Sequence, residues 1–170
     1  LEVSLHHRLR TRHELQYLDQ ARFGSIARWN EKRFSILAGF YLQPQQIHEQ
    51  DWTPGRRVFG GIEVPVQLGS RIVLSSRLVA ERHMSTGRPD YARYRTSERV
   101  VFGAGRFRPF IQNELLAVKQ GFHSTRNSGG MSLRINDEFS VEVSYLYDIR
   151  RTFSGGDRQA VVTSMRWTPN

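Results

Sequence analysis

Apolar and polar residues alternate along almost the whole chain. Between residues 139 and 151 one parity carries Phe139, Val141, Val143, Tyr145, Tyr147 and Ile149; the other carries Ser140, Glu142, Ser144, Leu146, Asp148 and Arg150. Successive side chains of a strand point to opposite faces, so this segment reads as a strand with one oily and one charged face. The same period of two runs through Phe34–Leu42, Arg57–Leu68, Arg71–Glu81 and Ser128–Ile135. No stretch of length carries a helical period, so the chain reads as all-β.

Turn formers punctuate the pattern in two ways. Tight turns are expected at 30–32 (NEK), 69–70 (GS), 103–105 (GAG) and 136–138 (NDE). Longer polar links are expected at 43–55, 84–90, 119–125 and 153–157, with a further one near 18–20. Ten strands result: 3–17, 21–29, 33–42, 57–68, 71–83, 91–102, 106–118, 126–135, 139–151 and 158–167. An even number of strands, with short turns at one end and longer links at the other, is the layout of an up-and-down antiparallel transmembrane β-barrel in a single domain, residues 1–170.

Which face meets water decides between a membrane barrel and a soluble, lipocalin-like barrel that would hold an apolar ligand. Aromatic residues bracket the tight turns on the oily parity: Trp29, Phe34, Phe102, Phe107, Phe139 and Trp167. A ring of aromatics at one height suits a bilayer interface. Most of the expected strands also have the length a tilted strand needs to cross hydrocarbon. The oily face is therefore assigned to lipid and the charged face to the lumen. That places the chain in a bacterial outer membrane, against lipid and lipopolysaccharide.

Composition narrows the chemistry. The formal net charge is +9, and every basic residue except Lys32 and Lys119 is arginine. Arginines spread over many strands at one parity are placed by the fold rather than gathered in a patch, so nucleic acid is not an expected partner. The absence of cysteine removes disulfides, thiolate metal sites and thiol nucleophiles. No apolar run approaches the ~20 residues of a spanning helix. The chain opens at Leu1 without a methionine, which suggests a processed or trimmed chain. No metal site or cofactor is expected.

The inward parity supplies the candidate site. Glu14, Glu63, Arg77, Glu81, Arg95, Arg99, Arg106, Arg108, Glu114, Arg134, Glu142 and Asp148 are expected to form a lumen charge network, joined by Arg8, Arg10, Arg12 and Arg93. Arginine–carboxylate pairs filling a narrow barrel are the first reading. Surplus arginine lining an anion-preferring passage is the second. A rim hydrolase is the third, with His83, Glu81 and Asp90 or His123 and Ser124 as its groupings, though no nucleophile elbow or paired-histidine metal spacing accompanies them. In the link 43–57, Trp52 and Pro54 could anchor a partner, and Arg56 and Arg57 could meet lipopolysaccharide phosphates.

Four residues break the oily face: His7, His13, Glu98 and Asn113. A charge facing mid-bilayer costs a few kcal/mol. A β-bulge within 91–102 that flips parity is the expected explanation; a partner protein on that wall, near His7, Glu98 and Asn113, is the alternative.

Residues 72–151 resemble a family of uncharacterised bacterial outer-membrane β-barrels known as a domain of unknown function. The resemblance rests on SRLVAERH (76–83), YARYRTSERVVF (91–102), RPFIQNELL (108–116), TRNSGGMSLRIN (125–136) and VEVSYLYDIRR (141–151). It implies a barrel in a Gram-negative envelope and supplies no reaction or ligand. The family tends to begin with a further tryptophan-containing segment that this sequence does not show. A structural or envelope-associated role without enzymatic activity is the expectation.

Overall fold

Strand follows strand in this chain because β-branched and aromatic residues recur at every second position, and glycine or asparagine marks the reversals. The computed structural model describes residues 1–12, 17–48, 51–150 and 157–169. All regular elements among them are strands: β1 (Glu2–Arg12), β2 (Tyr17–Asn30), β3 (Ser35–Leu42), β4 (Gln45–His48), β5 (Asp51–Thr53), β6 (Gly55–Leu68), β7 (Ile72–Ser85), β8 (Arg88–Phe102), β9 (Phe107–Val118), β10 (Gly121–Arg134), β11 (Phe139–Arg150) and β12 (Arg158–Trp167). Ten of these pair antiparallel in chain order, and β1 closes on both β2 and β12. The short β4–β5 hairpin stands outside the ring, within the connection from β3 to β6, and touches β2 at Gln20. The expected ten-stranded barrel is what forms.

Several connections differ from the sequence reading. The supposed links at 84–90 and 119–125 are mostly strand, and the reversals shrink to Thr86–Gly87 and Lys119–Gln120. Gly87 (φ 75°) and Gly121 (φ 116°) take left-handed backbone that makes such tight reversals cheap. The link near 18–20 is also strand. Gln20 pairs with Arg10 and Leu18 with Thr11, so Asp19 is the extra residue of a bulge. The long connection 43–54 contains the β4–β5 hairpin. Residues 13–16, with Glu14 and His13, and 151–156, with most of the last expected link, lie outside the described residues.

The opening parity question is settled by exposure. Val143 and Tyr145 are 48% and 51% exposed, while Ser144 and Asp148 are 7% and 1% exposed. The same holds around the ring: Phe40, Val58, Ile62, Leu78, Ile111, Leu115 and Met131 look out, while Arg57, Glu63, Glu81, Arg93, Glu114 and Ser124 are buried inside. A largely apolar wall around a charged interior is the inverse of a soluble barrel and the pattern of a membrane one.

Aromatics sit at both ends of that wall. At the tight-turn end, Trp29, Phe34, Phe102, Phe107 and Trp167 are exposed, with Phe139 half-buried beside Trp167. Toward the other end, called the loop end below, Phe23, Phe40, Tyr94 and Phe122 are exposed as well.

The bulge expected in 91–102 is absent. β8 pairs without a break from Tyr91 to Phe102 along β7, and from Arg93 to Val101 along β9. Parity is kept, so Glu98 and Asn113 do face outward. His7 does too, between Phe23 and Met165 on the neighbouring strands.

Candidate functional site

The interior divides into a packed half and an open half. Toward the loop end, Glu81 on β7 gathers cations from two neighbouring strands. Its Oε2 accepts from Arg93 Nε (2.8 Å) and Nη2 (2.6 Å) and lies 3.0 Å from His83 Nε2. Its Oε1 lies 2.9 Å from Arg95 Nη2 and 3.4 Å from Arg57 Nη1. The Glu81 side chain is wholly buried, and Arg57 is the largest fully buried side chain among the described residues.

These residues meet because β6, β7 and β8 are in register. Arg57 pairs with His83, and Glu81 pairs with Arg93, all on the inward parity. Tyr41 and Phe59 stack at 5.2 Å beneath the hub, and the Arg57 guanidinium lies 4.8 Å above the Tyr41 ring. The rings fit because the inward positions beside them are glycine. A Cβ on Gly24 would stand 1.9 Å from the Phe40 carbonyl oxygen, and one on Gly39 would stand 2.3 Å from the Phe59 ring.

From the hub a polar chain descends toward the turn end. Arg95 Nη1 lies 3.3 Å from Glu114 Oε1, which also accepts from Gln112 Nε2 at 2.8 Å. Arg99 then bridges Gln112 (3.3 Å) and Glu142 (2.6 Å), with its guanidinium 3.7 Å over the Phe110 ring. On the far side, Asp148 holds Arg126 at 3.2 Å and Arg150 at 3.4 Å. Glu63, between Arg28 and Arg77, completes the carboxylate set.

Solvent access rises along this chain from the hub to the turn end. Arg28, Arg77, Arg99 and Glu142 keep 22–33% of their side-chain surface, whereas Arg93, Arg95 and Glu114 keep about a tenth and Glu81 none. The turn half therefore holds water-accessible space, a cavity of about 430 Å³. Among the described residues its border carries nine arginines, including Arg8, Arg22, Arg108 and Arg166, and three glutamates, Glu63, Glu114 and Glu142.

Most of the expected lumen residues are thus brought together: Glu63, Arg77, Glu81, Arg95, Arg99, Glu114, Glu142 and Asp148 in ion pairs, Arg108 on the cavity border. Arg106 is not; it lies in the turn after Gly103, and Arg134 is exposed at the rim, its amide donating to the Arg106 carbonyl at 2.9 Å. Arg57 moves the other way, from an expected lipopolysaccharide contact to the buried hub, while Arg56 stays exposed. Sequence reasoning passed over Arg22, Arg28, Arg126 and Arg166, although each shares the inward parity of its strand.

The suggested hydrolytic groupings do not assemble. His83 is buried against Glu81 and stacked at 4.7 Å on Tyr91, whereas Asp90 pairs with Arg82 on the outer rim at 3.1 Å. Ser124 is fully buried next to the half-buried His123.

A closed antiparallel barrel with an apolar exterior, aromatics at both ends and a charged interior defines a transmembrane β-barrel protein. The chain belongs to the family described as a protein of unknown function, DUF2490, whose family model matches residues 1–160. No curated protein matches it. Among solved structures it is similar to the NanC porin (TM-score 0.58, 9% identity, 96% of this chain and 98% of that one). It is also similar to the beta domain of the Bordetella autotransporter BrkA (TM-score 0.54, 9% identity, 98% and 97%). A third similarity is to a bacterial polysaccharide outer membrane secretin (TM-score 0.57, 9% identity, 89% of this chain). The chain spans 57% of the length of that secretin. At these identities the likeness is one of fold, and the fold is that of outer-membrane barrels.

Proposed function

We propose that this protein is a structural, envelope-associated barrel of a bacterial outer membrane, closed to ion flow across its loop half. The carrying observation is the wholly buried Glu81 with Arg57, Arg93, Arg95 and His83 around it. Side chains that exclude water from one another leave no path for a hydrated ion. The aromatics at the two ends would sit at the two bilayer interfaces. The tight-turn end would face the periplasm, and Arg56 beside the loop-end rim would be free to meet lipopolysaccharide phosphate. No catalytic role follows from the groups on the lumen wall.

A second reading has its own observation. Leaving aside Arg57 and Arg95, which pair with Glu81 in the hub, seven arginines against three glutamates border the cavity and favour anions there, so a barrel whose hub opened would pass anions before cations.

Planar-bilayer recording separates the two. The wild-type barrel is expected to show no steady conductance. Removing the hub with Arg57→Ser together with Glu81→Ser, which leaves net charge unchanged, is expected to open a narrow passage whose reversal potential favours anions. Steady, anion-selective current through the wild-type protein would replace the closed-barrel reading with the second one.

A further inference from the structure

Glu98 and Asn113 are not isolated lapses in the oily wall. The register joins Ser76 to Glu98, Glu98 to Asn113, Asn113 to Asn127, Asn127 to Tyr147 and Tyr147 to Gln159. All six take the outward parity, so one row of directly paired polar residues crosses six neighbouring strands, from β7 to β12. Side chains along the row bond to one another. Ser76 Oγ donates to Glu98 Oε2, and Asn113 Nδ2 donates to Asn127 Oδ1 at 2.8 Å.

The row runs perpendicular to strands that are themselves inclined in a barrel, so it climbs the wall obliquely. Its middle is far from either interface. Asn113 lies six residues beyond the turn-end aromatic Phe107, roughly 15 Å along the barrel axis at the usual strand rise and tilt. The apolar band of such barrels is about 25 Å tall. A short asparagine side chain at that depth cannot reach water, and lipid offers it no hydrogen bond.

We infer that this polar row is a homodimer contact in the membrane, with a second copy of the same chain as its occupant. The argument is self-complementarity. The Asn113–Asn127 bond uses one amide hydrogen of Asn113 and one lone pair of Asn127; the Asn113 carbonyl and the Asn127 amide hydrogens remain outside that bond. Carboxamides carry donors and acceptors together, so an identical row satisfies what the first leaves over. A two-fold axis along the barrel axis, set between β9 and β10, brings Asn113 opposite the Asn127 of the second copy. The same operation sends the two Glu98 carboxylates to opposite flanks, so like charges do not meet. Leu78 and Ile111, each 56% exposed beside the row, supply the apolar surround that a membrane contact needs.

The test compares the wild-type chain with the triple variant Glu98→Leu, Asn113→Leu, Asn127→Leu, in mild detergent by light scattering and in lipid vesicles by fluorescence energy transfer. The wild type is expected at twice the monomer mass. The variant is expected at the monomer mass, with its strand signal and heat-resistant band intact, because leucine is at home on a lipid-facing wall. A monomeric wild type in both media would overturn the inference, as would a dimer that survives the triple change. So would a wild type that is monomeric alone and captures a different protein on this wall. Should the triple variant not fold, the natural lack of cysteine provides a second route. In a mixture with Asn127→Cys protein, Asn113→Cys is expected to join to it through a short bis-thiol cross-linker, and Ile62→Cys, exposed on another part of the wall, is not. Equal joining at Ile62→Cys, or none between 113 and 127, would overturn it equally.

Discussion

Glu81→Ala is expected to cost about 3–5 kcal/mol of barrel stability, because it leaves Arg57, Arg93 and Arg95 in a water-poor interior without their shared counter-charge. Glu142→Ala is expected to cost less than about 1 kcal/mol, since its partner Arg99 and Glu142 itself are each about a quarter exposed to the cavity water. Urea unfolding from lipid vesicles, followed by tryptophan fluorescence, gives both numbers. The contrast carries the claim, more than either value. A packed hub and a hydrated vestibule demand unequal costs from two formally similar arginine–glutamate contacts. Equal costs would mean that water reaches the hub, and the closed lumen would have to be abandoned.

The second large effect belongs to the outer wall. Val143→Arg places a guanidinium among lipid tails and is expected to cost about 2–4 kcal/mol in a bilayer. Its neighbour Ser144 faces the cavity, so Ser144→Arg meets water and glutamates rather than lipid. It is expected to fold with a smaller loss in the same unfolding assay. Were the two substitutions equally tolerated, the wall assigned to lipid at β11 would be wrong.

Much of this was legible in the sequence because a barrel strand repeats every two residues and the two environments differ so sharply. The parity of Val143 and Ser144, the ten-strand count and the turn-end aromatics needed no partner information. Strand ends were harder. His83, Met84, Tyr91, His123 and Ser124 lie near or beyond the lipid boundary, where polarity no longer reports on backbone form. Hence 84–90 and 119–125 read as links while the chain continues as strand.

The hub was half legible. Glu81, Arg93 and Arg95 followed from parity. Arg57 opens the expected strand 57–68 on the same inward parity, but its place beside the long connection had it read as a lipopolysaccharide contact, and only the pairing with His83 sets it in the hub. Glu98 is the instructive case. A lone outward carboxylate argues for a bulge, and nothing local says otherwise. Only the register, which sets it between Ser76 and Asn113, shows a continuous row. Cross-strand neighbours are a property of pairing, and alternation along one strand does not contain them.

The most direct test of the central claim, apolar wall in lipid and charged face within, is depth-resolved quenching along β11. Single cysteines at Val143, Ser144, Tyr145 and Leu146, each carrying an environment-sensitive dye, would be read in vesicles with a lipid-borne quencher. Strong quenching at 143 and 145 with little at 144 and 146 is the predicted result. Quenching at 144 and 146 instead, or none at any position with the protein free in aqueous solution, would contradict it.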